Sequence, residues 1–170
     1  MKQLENALLR SFGFFRYIGF EFTEDENGFV MTLRPAEEKE WQSEAVTDIF
    51  VRRDGYYSEM TFYVDKADTT EEEVFLFCNK YNEGASPVKL FVADADDSYA
   101  IVGTMPNVLG VDPDYTLDFS LSAADAEELA EDIRLSVFYL KGYMDTVITD
   151  FTGEEVIPVE NDENACAAGV

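Results

Sequence analysis

The stretch IGFEFTEDENGFVMTL, residues 18–33, decides the fold. Phe20 and Phe22 alternate with Gly19, Glu21 and Thr23, which is the period of a strand with one buried face. Asp25-Glu26-Asn27-Gly28 then supplies turn chemistry, and Phe29-Val30-Met31-Thr32-Leu33 resumes a β-rich run. The reading is a β-hairpin with an Asn-Gly turn. Hairpin links are far too short for parallel crossovers, so the pairing is antiparallel.

On the N-terminal side, Lys2 to Tyr17 carries Leu4, Leu8, Leu9, Phe12 and Phe15 on one stripe of a packing helix. On the other side, Pro35 and the polar stretch 36–44 break the sheet, with Trp41 inside them, as a loop or short helical turn. A second hairpin follows in Val46 to Val51, the Arg53-Asp54-Gly55 turn and Tyr57 to Val64. Thr70 and Glu73 have capping-box spacing, and Glu71, Glu72 and Glu73 suit the positive end of a helix dipole, so a helix runs from here to about Asn82 and stops at Gly84. Pro87 to Ala93 and Ser98 to Thr104 form a third hairpin, and Tyr115 to Phe119 reads as a further strand. Ser122 with Asp125 caps a last helix whose core face is Ala126, Leu129, Ile133, Val137 and Leu140.

The order is α-ββ-ββ-α-ββ-β-α, an α+β domain with an antiparallel sheet flanked by helices. The pattern dissolves beyond Ile148, giving one domain over 1–149 and an acidic tail over 150–170 that is expected to be disordered. At 170 residues and 46% apolar, the chain has material for one core and no room for a second domain.

Charge narrows the partners. With 36 acids against 12 bases the net charge is -24, a field that repels nucleic acid and anionic membranes. The 44 residues between Lys89 and Arg134 hold 11 acids and no base. That concentration reads either as a solubilising face or as a docking surface for a basic partner, including a mimic of nucleic-acid phosphates. No signal peptide or membrane span is legible, so a cytoplasmic protein with free thiols at Cys78 and Cys166 is expected.

The chemistry is sparse. The chain has no histidine, which removes the usual general base and the commonest metal ligand. Cys78 shares the stripe Val74, Phe77, Cys78 and Tyr81, the pattern of a buried structural thiol. Asp94, Asp96 and Asp97 fail the EF-hand pattern, with Tyr99 in the glycine position and Met105 in the closing glutamate position, and read as a solvated hairpin tip. Asp112 and Asp114 are turn residues around Pro113, and Gly13 and Gly19 are too isolated for a phosphate loop. An enzyme using such carboxylates with a metal ranks last; no catalytic residue, cofactor or metal is expected. Phe75, Asn79 and Asn82 mark a second face on the middle helix, as Leu135, Phe138 and Tyr139 do on the last. Both sets are candidate dimer or partner contacts, or parts of a thicker core, and capping or loop-anchoring hydrogen bonds explain Asn79 and Asn82 near a helix end equally well.

The run Phe77-Cys78-Asn79-Lys80-Tyr81-Asn82, an opening helix leading to Gly19-Phe20, the turn at Asp25 to Gly28, Lys89-Leu90-Phe91-Val92 and a Ser122-started last helix ending in aromatics together resemble the YbjN family. The resemblance spans roughly residues 1 to 145; the insert from Pro35 to Glu44 and the acidic tail depart from it. It implies a fold similar to class I type III secretion chaperones and frequent dimerisation. It also implies no catalytic residues and a chaperone-like or regulatory role, described as putative sensory transduction regulation. The function expected is a homodimeric, non-enzymatic module that binds another protein; the alternative is an acidic mimic that inhibits a basic DNA- or RNA-binding protein.

Overall fold

A computed structural model describes residues 1–13, 17–35, 46–106, 117 and 119–153. Among them the chain runs α1 (Lys2–Phe12), β1 (Tyr17–Asp25), β2 (Gly28–Pro35), β3 (Val46–Arg52), β4 (Gly55–Asp65), α2 (Glu71–Asn82), β5 (Lys89–Asp94), β6 (Ser98–Pro106) and α3 (Ala123–Thr152). It is an α+β fold with one antiparallel six-stranded sheet in the order β1-β2-β3-β4-β6-β5. β6 returns between β4 and β5, so β5 lies parallel to β4 one strand away and forms the outer edge. Connections on the page of the sequence do not reveal that insertion.

The first two hairpins share one turn device. Asp25 pairs with Gly28 around Glu26-Asn27, and Arg52 pairs with Gly55 around Arg53-Asp54. No described non-glycine residue has a positive φ, whereas Gly28 has φ 154° and Gly55 φ 139°. The first turn is therefore not the mirror-image turn expected around a central Asn-Gly pair, which needs positive φ at both central positions. The glycine after the loop carries the reversed dihedral instead. Gly28 is required twice over, because a Cβ there would lie 2.0 Å from the Val51 carbonyl oxygen.

The helices share one face of the sheet. α1 and the first half of α3 bury Leu4, Leu8, Phe12, Ala126, Ala130, Ile133 and Val137 against Phe29, Met31, Leu33, Ile49 and Val51. α2 and the second half of α3 bury Val74, Cys78, Leu140, Met144, Val147 and Ile148 against Met60, Phe62, Leu90, Ile101 and Met105. The thirty-residue α3 thus spans both cores. Where it crosses β6 the backbones come close: a Cβ on Gly103 would sit 2.2 Å from the Met144 sulfur.

Several boundaries differ from the sequence reading. α1 ends at Phe12 and Tyr17 already belongs to β1; Gly13 follows the last helical turn, where glycine costs backbone entropy in a helix. Ala7 takes the buried place given to Leu9, which is exposed, while Phe15, Trp41 and residues 107–116 lie outside the described residues. Of the further strand read over 115–119, only Leu117 and Phe119 are described, and neither is in a strand. Leu117 is nonetheless tied to the sheet, its N–H donating to the Arg53 carbonyl at 2.6 Å. The last helix continues past Ile148 to Thr152, closed by Gly153 in the left-handed region at φ 71°, so Asp150 and Phe151 are helical rather than the start of a tail. Phe151 explains the extension, since its ring packs edge-on against Phe77 and Phe62. The rest of the tail, with Cys166, lies outside the described residues.

Candidate interaction surface

The middle helix starts as its sequence requires. Thr70 Oγ1 accepts from the Glu73 N–H at 3.3 Å, and the Glu73 carboxylate accepts from the Thr70 N–H at 2.9 Å. The Thr70 N–H first, and then the Thr70 hydroxyl, both donating to the Glu73 carboxylate, lower the pKa of that carboxyl. The inner face of α2 then carries Phe77 and Tyr81 against α3, with Tyr81 edge-on to Tyr143 and its hydroxyl donating to Asp150. Burial first, then the Asp150 carboxylate, push the Tyr81 phenol up.

Phe75, Asn79 and Asn82 fall at i, i+4 and i+7, one stripe along the helix. Asn82 fixes where that stripe points. Its Nδ2 donates to the Leu90 carbonyl at 2.8 Å and its Oδ1 accepts the Leu90 N–H at 2.7 Å, so the amide serves as a one-residue strand for the outer edge of β5. Asn82 is thereby a structural clamp rather than a free contact. Lys89 closes the same corner, donating to the Asn82 and Gly84 carbonyls. Phe75 and Asn79 continue the stripe and are exposed.

The second set lies elsewhere. Leu135, Phe138 and Tyr139 are on the outward side of α3, with the Arg134 guanidinium 5.4 Å from the Phe138 ring centre and ion-paired to Glu131. Tyr81 and Phe77 face α3 while Asn82 faces β5, so the two predicted sets occupy different flanks of the helical layer. Phe75, Leu76, Phe91, Leu135 and Tyr139 keep about half their surface or more in solvent, from 49% at Tyr139 to 61% at Leu76. Leu76 and Phe91 were not singled out by periodicity, since each sits in an apolar run that reads as core.

The acids of the third hairpin are gathered around a cation of the chain itself. The Lys66 ammonium lies 2.5 Å from Asp94 and donates to the Ala95 and Asp96 carbonyls at 2.5 and 3.0 Å, with the Tyr99 ring below it. The hydrogen bond to Asp94 leads the causes that raise the Lys66 pKa. Among the described residues no group of acids or thiols is arranged to hold a metal. Cys78 is buried and free, and burial pushes its thiol up to about 11, the setting of a packing residue.

The face of the sheet turned away from the helices is the least expected surface. β3, and β4 as far as Phe62, alternate strictly between buried and half-buried residues, and no half-buried residue of these stretches belongs to either core. Register aligns that set in rows across the strands. One row is Val30, Phe50 and Tyr57, in which the Phe50 and Tyr57 rings stack at 4.5 Å. The next is Glu21, Thr32, Asp48, Glu59, Thr104 and Lys89. A third is Val46, Thr61, Val102 and Phe91. Alternation in β3 and β4 made this face legible in principle; its rows needed the strand order.

No protein-family model matches the chain, and no curated protein matches it. The likeness to the YbjN family therefore rests on the segments quoted for it. Among the described residues no helix is long and apolar enough to cross a membrane.

Proposed function

We propose that this chain is a non-enzymatic protein-binding module with a chaperone-like or regulatory role, acting as a homodimer in the cytoplasm. The observation that carries the reading is large apolar side chains exposed in groups on a strongly acidic molecule, a combination that favours burial against another protein. Copies carrying a charge of -24 repel each other, so self-association requires a face where charge is absent or internally paired. Residues 135–149 of α3 meet that condition. Their one acid, Asp145, is paired with Lys141 at 2.7 Å, and Leu135 and Tyr139 stand exposed beside them. Glycine at 142 adds to this, because a Cβ there would meet nothing within 4 Å and alanine would suit an isolated helix better.

The test is solution mass by light scattering, together with suppression of aggregation of a chemically denatured test protein. The dimer is expected to tighten as salt screens the repulsion. Leu135→Ser with Tyr139→Ser is expected to weaken it by about a hundredfold or more, from two lost anchors. A monomer at every salt concentration that also leaves aggregation unchanged would end this reading. For the acidic-mimic alternative, the acids at 94, 131 and 145 are engaged within the chain, by Lys66, Arg134 and Lys141.

A further inference from the structure

Asp48 and Glu59 face each other directly across β3 and β4, in the middle of the sheet and on the face away from the helices. Like charges directly opposite each other in a sheet are destabilising. Among the described residues each carboxylate is supported only from its far side: Thr32 donates to Asp48 at 2.6 Å from β2, and Thr104 donates to Glu59 at 3.3 Å from β6. Among the described residues neither has an ion-pair partner, and the cations nearest in the rows are engaged elsewhere. Arg34 pairs with Glu21 at 3.7 Å, Arg52 lies over the Phe50 ring, and Lys89 turns to the end of α2.

The fold gains nothing from this arrangement, and a guest cation gains two carboxylates. On the two strands that carry the pair, Phe50 and Tyr57 flank it on one side and Val46 and Thr61 on the other, a row that Val102 and Phe91 continue across β6 and β5. Moving along a strand from one row to the next advances about 6.7 Å. Along β3 the surfaces met are apolar, acidic and apolar, at Phe50, Asp48 and Val46.

Resting on the protein-binding reading above, we infer that this sheet face docks a segment of another protein that presents a lysine or arginine between two apolar side chains. Asp48 and Glu59 are the residues that select it. Charge complementarity singles out this occupant: a second copy would bring the same acidic pair to the contact, and an acidic segment would meet it unpaired.

The probes are three labelled peptides of one sequence, Val-Ser-X-Ser-Val flanked by the same polar residues, with lysine, glutamine or glutamate at X. Binding to the full chain is read by fluorescence anisotropy. The lysine peptide is expected to bind about tenfold tighter than the glutamine peptide, with the glutamate peptide weakest. Asp48→Asn with Glu59→Gln is expected to bring lysine and glutamine within about twofold, while its unfolding midpoint stays at or above that of the parent chain. Phe50→Ser is expected to weaken all three. Equal binding of lysine and glutamine peptides, or binding by none, overturns the inference. So does a lysine preference that survives Asp48→Asn with Glu59→Gln and disappears with Leu135→Ser and Tyr139→Ser. In that last case the binding-module reading stands on α3 while the sheet face drops out.

Discussion

The two halves of the core are held in different ways. Over β1 to β3, α1 and the start of α3 meet the sheet through aliphatic and phenylalanine side chains that are almost completely buried, and Leu9 and Leu135 are the large apolar residues left exposed there. Over β4 to β6, α2 and the end of α3 are joined by a rim of half-buried aromatics at Phe77, Tyr81, Tyr143 and Phe151, and the edge strand is fastened by the Asn82 amide. Tyr63, Phe75, Leu76, Phe91 and Tyr139 are exposed around this second half. The first half spends its apolar residues inside, whereas the second keeps several outside and replaces them with polar fastenings.

Two glycines give the sharpest way to break that contrast. Gly28, in the first half, faces a carbonyl of the adjacent strand and has a dihedral that L-residues rarely adopt. Gly28→Ala is expected to cost roughly 3 kcal/mol or more, since neither obstacle can relax without moving β3. Gly103, in the second half, faces the flexible but fully buried Met144 side chain. Gly103→Ala is expected to cost about 1–3 kcal/mol, and Met144→Val is expected to recover part of it in a double-mutant cycle by urea unfolding. Equal costs for the two alanines, with no coupling to position 144, would mean that α3 does not press on β6 as closely as on the structure.

The polar fastening is the next to break. Asn82→Ala removes both hydrogen bonds to Leu90 and is expected to cost about 1–2 kcal/mol, concentrated at the sheet edge. Amide exchange at Leu90 should quicken by more than exchange at Ile101, one strand inward. Uniform acceleration across the sheet would make Asn82 a contributor to global stability and remove its role as an edge clamp.

Much of this half was readable, and the unread part has a physical cause. The capping box at Thr70, the buried Cys78 and the stripe with Tyr81 all follow from spacing within one helix, because local geometry alone decides them. Asn82 was legible as one of a stripe or as an anchoring asparagine near a helix end, but its partner was not, since that residue, eight positions away, is set by where β5 lies, and β5 lies at the edge only because β6 enters between it and β4. Asp48 and Glu59 carried no signal at all. Each is an ordinary outward residue of its strand, and they become a pair only through the register of β3 with β4. Lys66 illustrates the same limit from the other side: the acids at 94 to 97 were legible as a tip, but the lysine that organises them comes from the end of β4.

The smallest effect lies between the halves. On β4, Tyr56 belongs to the first core and Met60 to the second, and Ser58 between them is buried with its hydroxyl unpartnered. It pairs in register with Ile49 on one side and Met105 on the other, so its Oγ points into apolar surroundings under α3. A buried hydroxyl without a partner costs free energy, and its removal leaves only a small loss of volume. Ser58→Ala is therefore expected to be neutral or to stabilise by up to about 1 kcal/mol, measured as a rise in the urea midpoint with an unchanged slope. A clear loss of stability would show that the hydroxyl is bonded in solution, which would turn the boundary between the two halves from a seam into a joint.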